Sequence, residues 1–489
     1  MQIAPPCTLI IGAGFTGLST AHYLRKAGVP FMVVDRSSHP GGVIKTVSEK
    51  GFTYELGPNT GVLASGEIVE LFEDLKGLCQ LETASKDAQK RYILKNGQWE
   101  SVPSGMIEGI MTPLFTTHDK LRLLLEPFRK KGDNPHETLS QLVKRRMGKS
   151  FLDYAVEPFI NGIYAGDPDL LVTKYALPKL YNLEQKYGSF IGGAIRKQFE
   201  KKGESERRIT REVFSASGGL SNLVLALYNN CGPENFHFNV SDLQVELVEN
   251  HEYLPDMSTR QHCNSCKANN KKAFQYRAQW KVNGSSETKY FRNVVFTGTS
   301  YDIPSIFNFF DKQDMDIITN VKYAGIVEVA LGFNKWKGID MNGFGGLIPS
   351  REKRSLLGVL YMSTLFTDRA PKGGALLNLF MGGVKNENLI HMPDNKIEDI
   401  VKREITDLLH LPEFKPDILR ISRYNHAIPQ YEASSGERFE AIANLEAMNP
   451  GLILGGNMRD GIGLADRAKQ GKILAQQVIN REIPHKFNV

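Results

Sequence analysis

The chain has 489 residues, of which 41% are hydrophobic and 23% charged, with 60 lysines and arginines against 54 acids for a net charge of +6. That length exceeds one ordinary core and calls for two or three domains. The charge is mild and no aromatics interleave its basic clusters, which argues against a nucleic-acid surface, and no apolar run reaches the ~18 residues of a membrane span.

Thr8–Ile11 is an apolar run that predicts a buried strand. It feeds Gly12, Gly14 and Gly17 in G-x-G-x-x-G spacing, and the stretch 18–27 then carries Leu18, Ala21 and Leu24 on one helical face. A second strand, Phe31–Val34, ends in Asp35. Strand, glycine loop, helix and acid in this order make a dinucleotide site. Gly12 permits the tight turn, Gly14 admits a pyrophosphate, and Gly17 lets the helix pack on the strand. The helix N-terminus favours the negative charge, and Asp35 is placed for a ribose. An acid there disfavours a 2′-phosphate, which leaves NAD and FAD. Gly41 and Gly42, just past the second strand, favour FAD, because a glycine pair lets backbone touch the cofactor. Residues 51–61 then predict a short strand ending in a Gly57-Pro58 turn.

Residues 105–208 are rich in helix formers and read as an inserted helical block, broken at Pro113 and Pro135. Basic clusters lie at 129–131, 144–146 and 196–211, the last alternating with glutamates as a solvated helix face does. Residues 215–232 predict a glycine turn and an amphipathic helix. Alternating strands are expected over 236–248 and 274–282, and a buried strand into a helix over 293–307. Residues 323–384 predict a second sheet, and helices are expected over 394–410 and 461–479.

Five cysteines make no disulfide framework, and no secretory leader is read ahead of the first strand, so a cytoplasmic location is expected. Cys263 and Cys266 form C-x-x-C, but no second pair completes a zinc site, so a polar excursion between strands is expected there and no metal. Near the end, the strand Leu452–Leu454 runs into Gly455, Gly456 and Asn457, and a second glycine turn at Gly461 and Gly463 starts a helix. A helix N-terminus here would stabilise negative charge on a reduced flavin. An N-terminal dinucleotide loop paired with such a turn reads as an FAD site.

The chain resembles the flavin amine oxidase superfamily and, within it, the protoporphyrinogen oxidase family. The likeness runs almost end to end. It is carried by ELGPNTG (55–61), EPFINGIYAGDPDLL (157–171), the stretch 343–371, LLNLFMGG (376–383), AIPQY (427–431) and GGNMRDGIGLADRAKQG (455–471). One departure is His39-Pro40, where the family often has a basic residue before the glycine pair.

The resemblance implies an α/β fold: a discontinuous Rossmann-like FAD-binding domain (1–83, 209–300, 441–489), a mixed-sheet substrate domain (84–104, 301–440) and a helical domain (105–208). The helical domain is expected to meet a membrane surface or partner. FAD is expected to be non-covalent, since no cysteine follows Cys266. Its contacts are expected at Gly12, Gly14, Phe15, Thr16 and Gly17, at Asp35, Arg36, Gly41 and Gly42, and at Gly57, Pro58 and Asn59. The C-terminal turn is expected to add Gly456, Asn457, Gly463 and Leu464. The implied reaction moves hydride from a porphyrinogen to flavin N5, with oxygen or a quinone as final acceptor and the next heme-pathway enzyme as a partner. Leu347 and Leu360 would flank the macrocycle on one side and Phe380 on the other. Arg91 would pair with a propionate, and Asn59 would position a pyrrole nitrogen or polarise its proton. A coproporphyrinogen oxidase of the same fold, an amine oxidase and a non-enzymatic porphyrin-binding flavoprotein are the alternatives.

Overall fold

Alternation along Thr8–Ile11 sends Ile10 to one side and Leu9 and Ile11 to the other, so this strand needs cover on both faces. In the computed structural model, which describes residues 7–200, 208–248 and 275–483, it is the middle of a five-stranded parallel sheet. The order is Phe236–His237, Phe31–Val34, Thr8–Ile11, Asn293–Phe296, Leu452–Leu454. The helices Phe15–Lys26, Leu220–Cys231 and Leu464–Glu482 cover one face through Leu18, Leu223 and Leu474. The other face packs on the helix Ser435–Met448 and on an antiparallel three-stranded layer, Val240–Leu247, Tyr276–Val282 and Ser285–Phe291. Cys263 and Cys266 lie outside the described residues.

Three boundaries differ from expectation, each for a local reason. The run 236–248 is two strands in two different layers, because Asn239 takes a left-handed φ of 56° and turns the chain between them. The first helix begins at Phe15 rather than Leu18, with Gly14 as its N-cap. The last helix begins at Leu464, after Gly461 at φ 94° has made the entry turn.

A second sheet has seven strands in the order Ile418–Pro429, Tyr323–Phe333, Ala375–Gly382, Leu356–Tyr361, Gly345–Leu347, Arg91–Lys95, Gln98–Ser101. All neighbours are antiparallel except Gly345–Leu347 with Arg91–Lys95. Val327, Val329, Leu331, Leu377, Leu379 and Val359 face the helix Asp394–Leu408, which buries Ile397, Val401 and Ile405 against them. On the opposite face Ala330 and Leu376 pack on Phe52 and Tyr54.

The helical block packs Leu139, Leu142, Val143, Ile160 and Phe190 into its own core. Its centre holds an ion cluster: fully buried Arg146 meets Glu126 and, at 2.7 Å, Glu184. Glu126 also accepts the backbone N–H groups of Phe190 and Ile191 at 3.0 and 3.2 Å, which caps the helix Phe190–Gln198. Every member of the cluster is hydrogen-bonded, the condition under which buried charge is tolerated.

Candidate active site

The glycine loop is built around a space. A Cβ on Gly17 would stand 1.9 Å from the Gly12 carbonyl oxygen, and one on Gly12 would stand 2.8 Å from Thr297 Oγ1, so both glycines are forced by packing. Gly14 is different, for nothing lies within 4 Å of the place its Cβ would take. That open volume sits at the N-terminus of Phe15–Lys26, where no side chain caps the helix and no acid occupies the first turn. Unsatisfied N–H groups and the helix dipole make it an anion cradle. Gly41 donates to the Ala13 carbonyl at 2.9 Å and brings the glycine pair against the loop, with Gly42 directly over Gly14. Asp35 is half-buried, and its carboxylate accepts the Ala13 N–H at 2.6 Å and the Ser37 N–H at 2.7 Å. It therefore braces the loop. Arg36 points outward and pairs with Asp302 at 2.9 Å. Phe15 and Leu464 turn their side chains into the core, and Thr16 is buried, so these three offer backbone to a ligand.

The C-terminal turn is held from both sides. Arg467 and Gln470, on the last helix, grip the Gly456 carbonyl and N–H respectively, and Arg467 also donates to the Arg459 carbonyl at 2.8 Å. From the opposite side the Tyr431 hydroxyl donates to the Asn457 carbonyl at 3.1 Å and accepts the Gly461 N–H at 3.1 Å. Burial pushes the Tyr431 phenol up to about 12, so it stays a neutral donor. Within this turn Asn457 Oδ1 is buried without a protein partner. At Gly463 the last helix starts with Asp466 in its first turn, whose carboxylate accepts the Gly463 N–H at 3.2 Å. The orphaned Asn457 acceptor, together with the cradle at Gly14, fits an extended dinucleotide, as the expected FAD requires.

The opposite face of the seven-stranded sheet gathers the remaining expected site residues, and the register shows how. Residues directly opposite one another, and residues two apart on one strand, share a face. One row reads Ala330, Asn378, Leu360, Gly345, Arg91, and the next reads Glu328, Phe380, Gly358, Leu347, Ile93. Leu347, Leu360, Phe380 and Arg91, far apart in sequence, therefore stand on one surface. Gly358 lies between Leu347 and Phe380, and a Cβ there would stand 3.3 Å from Leu347 Cδ2, so the glycine makes room for the Leu347 side chain to lean over it. The three apolar residues are only half-buried, unlike the fully packed residues behind them. The helix Glu157–Tyr164 roofs one end: a Cβ on Gly162 would stand 2.5 Å from Leu347 Cδ2. Arg91 is exposed, stacks over Phe344 at 5.5 Å, and has no carboxylate partner among the described residues.

Asn59 reaches this face from the Gly57-Pro58 turn. Its Nδ2 donates to Glu328 Oε1 at 2.6 Å and to the Gly57 carbonyl at 3.0 Å, and its Oδ1 accepts from Asn378. Glu328 Oε2 accepts the Gly57 N–H at 2.9 Å. Sequence reasoning missed Glu328 and Asn378. The available signal was one acid inside YAGIVEVALGF and one amide inside ALLNLFMG, polar residues in otherwise apolar strands. No group of three His, Cys, Asp or Glu suited to a metal occurs among the described residues.

The profile of the family described as flavin containing amine oxidoreductase matches residues 15–268. The mitochondrial protoporphyrinogen oxidase of Nicotiana tabacum is 28% identical, over 96% of this chain and 94% of its own. The coproporphyrinogen III oxidase of Bacillus subtilis (strain 168) is 25% identical, over 95% of this chain and 96% of its own. A solved structure from Exiguobacterium sp. 255-15 superposes with a TM-score of 0.76 at 21% identity, covering 97% of this chain and 99% of its own.

The two kinds of glycine separate experimentally. Gly14→Val is expected to fold and to melt as the FAD-stripped parent does, because its side chain meets no protein atom, yet to purify without FAD. Gly17→Ala is expected to lower the melting temperature, because its methyl meets a backbone carbonyl. Cofactor content by acid release, read beside the thermal melt, checks both; a yellow Gly14→Val protein contradicts the cradle.

Proposed function

The chain belongs to the flavin-containing amine oxidoreductase family, and on that footing we propose that it oxidises protoporphyrinogen IX to protoporphyrin IX in heme biosynthesis. FAD, when bound, supplies the hydride acceptor. The observation that carries the substrate reading is the sheet face: half-buried apolar side chains at Leu347, Leu360 and Phe380 and one unpaired arginine at the edge. A flexible, apolar macrocycle with carboxylate arms has that shape and chemistry. Leu347 and Leu360 press on one side of it and Phe380 on the other, and the Arg91 fork takes a propionate. Near-complete alignment with relatives named for porphyrinogen oxidation supports the reading.

Coproporphyrinogen is the nearest alternative, since it offers the same macrocycle with more propionates. The two rows of the face hold one arginine, Arg91, which favours the substrate with fewer carboxylates. In this reading residues 84–104 and 301–440 form the substrate domain, and 1–83, 209–300 and 441–489 the FAD domain. FAD is held non-covalently, and oxygen or a quinone takes its electrons.

The helical block is proposed to rest on an anionic membrane surface at the cytoplasmic side. Met111, Phe128 and Phe199 are 76%, 85% and 84% exposed, and Ile107, Ile110, Leu121, Leu124 and Leu125 stand out with them. Lysines and arginines at 129–131 and 196–197 flank these residues. Apolar side chains framed by cations suit the headgroup boundary. No helix among the described residues is long and apolar enough to cross a membrane. Such a surface would also receive a poorly soluble product on its way to the next pathway enzyme.

Anaerobic mixing tests the activity: protoporphyrinogen is expected to bleach the flavin and yield fluorescent porphyrin, faster than coproporphyrinogen, while a primary amine leaves the flavin oxidised. Bleaching by the amine alone would overturn the reading, and a protein that binds porphyrin without bleaching would be a carrier. Arg91→Ala is expected chiefly to raise KM, lowering kcat/KM roughly 10- to 150-fold, the loss of one charge-assisted hydrogen bond. Phe380→Ala is expected to lower kcat as the macrocycle tilts out of alignment, with the flavin spectrum unchanged.

For the membrane surface, the protein is expected to float with anionic liposomes at low salt. Phe128→Ser combined with Phe199→Ser is expected to leave it at the bottom of the gradient, and parent protein that does not float refutes the contact.

A further inference from the structure

The deepest feature of the proposed substrate face is polar. Glu328 is 1% exposed, in the middle of an eleven-residue strand, and it lies directly opposite Phe380. A carboxylate placed there at such cost in desolvation needs a task. Its three contacts are the Gly57 N–H on Oε2, at 2.9 Å, and the Asn59 and Asn378 amides on Oε1, at 2.6 and 2.9 Å.

An ionised carboxylate only accepts hydrogen bonds, so any amide beside it must turn its NH2 inward. Glu328 imposes that choice on both asparagines. The donors are then fully spent. Asn59 uses its two protons on Glu328 and on the Gly57 carbonyl, and Asn378 uses its two on Glu328 and Asn59 Oδ1. What remains is acceptor capacity. Asn59 Oδ1 has taken one bond and can take another, and Asn378 Oδ1 is buried with no protein partner in a residue that is 0% exposed. Both amides sit at the foot of the walls, for Asn378 is directly opposite Leu360 and two residues from Phe380.

We propose that Glu328 is a positioning residue: it orients the amides of Asn59 and Asn378 so that these two groups present acceptors alone at the foot of the face, which select a ligand with N–H donors at that point and reject one that offers only acceptors there. The pyrrole N–H groups of a porphyrinogen are such donors. That identification rests on the porphyrinogen reading above, whereas the orientation of the amides does not.

The arrangement carries a pH signature. Burial, which outweighs the three hydrogen bonds, pushes the Glu328 carboxyl up to about 7, and the Glu55 carboxylate on Phe52–Leu56 adds to the rise. Tyr424, on Ile418–Pro429, also faces it, and Arg369 stands behind Glu55 at 3.4 Å. The proton goes to Oε2, since Oε1 already accepts two amide N–H groups, and the new O–H then confronts the Gly57 N–H and loosens the turn that carries Asn59. Ordered acceptors, and with them substrate oxidation, are expected above about 7 and lost as pH falls through it.

The test is Glu328→Gln in the FAD-loaded protein. Gln keeps the shape, but with its carbonyl toward the asparagines its NH2 confronts the Gly57 N–H and loosens the turn that carries Asn59. The variant is expected to keep its FAD and melting temperature while kcat/KM for protoporphyrinogen falls roughly 10- to 100-fold, the range for a lost or reversed hydrogen bond. The acid limb near 7 in the parent profile is expected to vanish. Equal rates and profiles in parent and variant would overturn the proposal. So would a slower variant that keeps the acid limb, because a purely structural role would do that. If Glu328→Gln fails to hold FAD, the parent decides alone. A carboxyl band in difference infrared spectra that titrates together with the rate near 7 supports the proposal, and a flat rate through that range overturns it. A parent inert to every porphyrinogen would defeat the substrate reading instead, and the infrared titration would still report on Glu328.

Discussion

A side chain on a β-strand can reach one of two faces, and the seven-stranded sheet assigns them without overlap. Odd positions of Tyr323–Phe333 (327, 329, 331) close a dry core against the helix Asp394–Leu408, and even positions (328, 330) look the other way. A slip of one residue in any strand would send the core valines to the site and Glu328 into the core. The same register that buries the core therefore also assembles Arg91, Leu347, Leu360 and Phe380, and places glycines between them. Packing holds the site in place because the two faces are two sides of one decision.

The site also depends on ties between the layers. Glu328 holds the Gly57 turn, which leads from the strand Phe52–Leu56. Glu55, on that same strand, accepts the Leu220 N–H at 2.9 Å and so fastens it to a helix of the dinucleotide layer. Tyr431 takes part in the helical core and hydrogen-bonds the C-terminal glycine turn. Gln430, its neighbour, donates to the Tyr164 carbonyl at 2.9 Å. The segments that carry the family likeness, 55–61, 157–171, 376–383, 427–431 and 455–471, are thus the ones that touch one another. Their side chains fix the distance between the dinucleotide cradle and the sheet face, and proximity of that kind is what a hydride-transferring site needs.

What the sequence reveals follows the range of the interaction. The Gly12–Gly17 spacing, the acid at 35 and the strand-turn-helix at 452–464 are local, and local geometry is written in adjacent residues. The boundary inside 236–248 was less legible, because it depends on Asn239 adopting a left-handed turn that many sequences avoid. Glu328 was the hardest. Its meaning lies in Asn59, 269 residues away, and Asn378, 50 residues away, and until those are neighbours it reads as a flaw in an apolar strand. Arg36 shows the converse, since its place beside Asp35 suggests a ribose contact, yet it leans outward to Asp302, 266 residues on. Leu347, Leu360 and Phe380 were identified through family likeness alone, because periodicity cannot distinguish a half-buried wall from a core position.

The central claim is that the face bearing Leu347, Leu360, Phe380 and Arg91 receives the macrocycle. A crystal structure of the FAD-loaded protein with a non-oxidisable porphyrinogen analogue tests it most directly. The account expects the ring between Leu347 and Phe380, with a carboxylate on the Arg91 guanidinium and a pyrrole N–H toward Asn59 Oδ1. A ring bound elsewhere, or one on this face with its nitrogens turned away from Asn59 and Asn378, would contradict it.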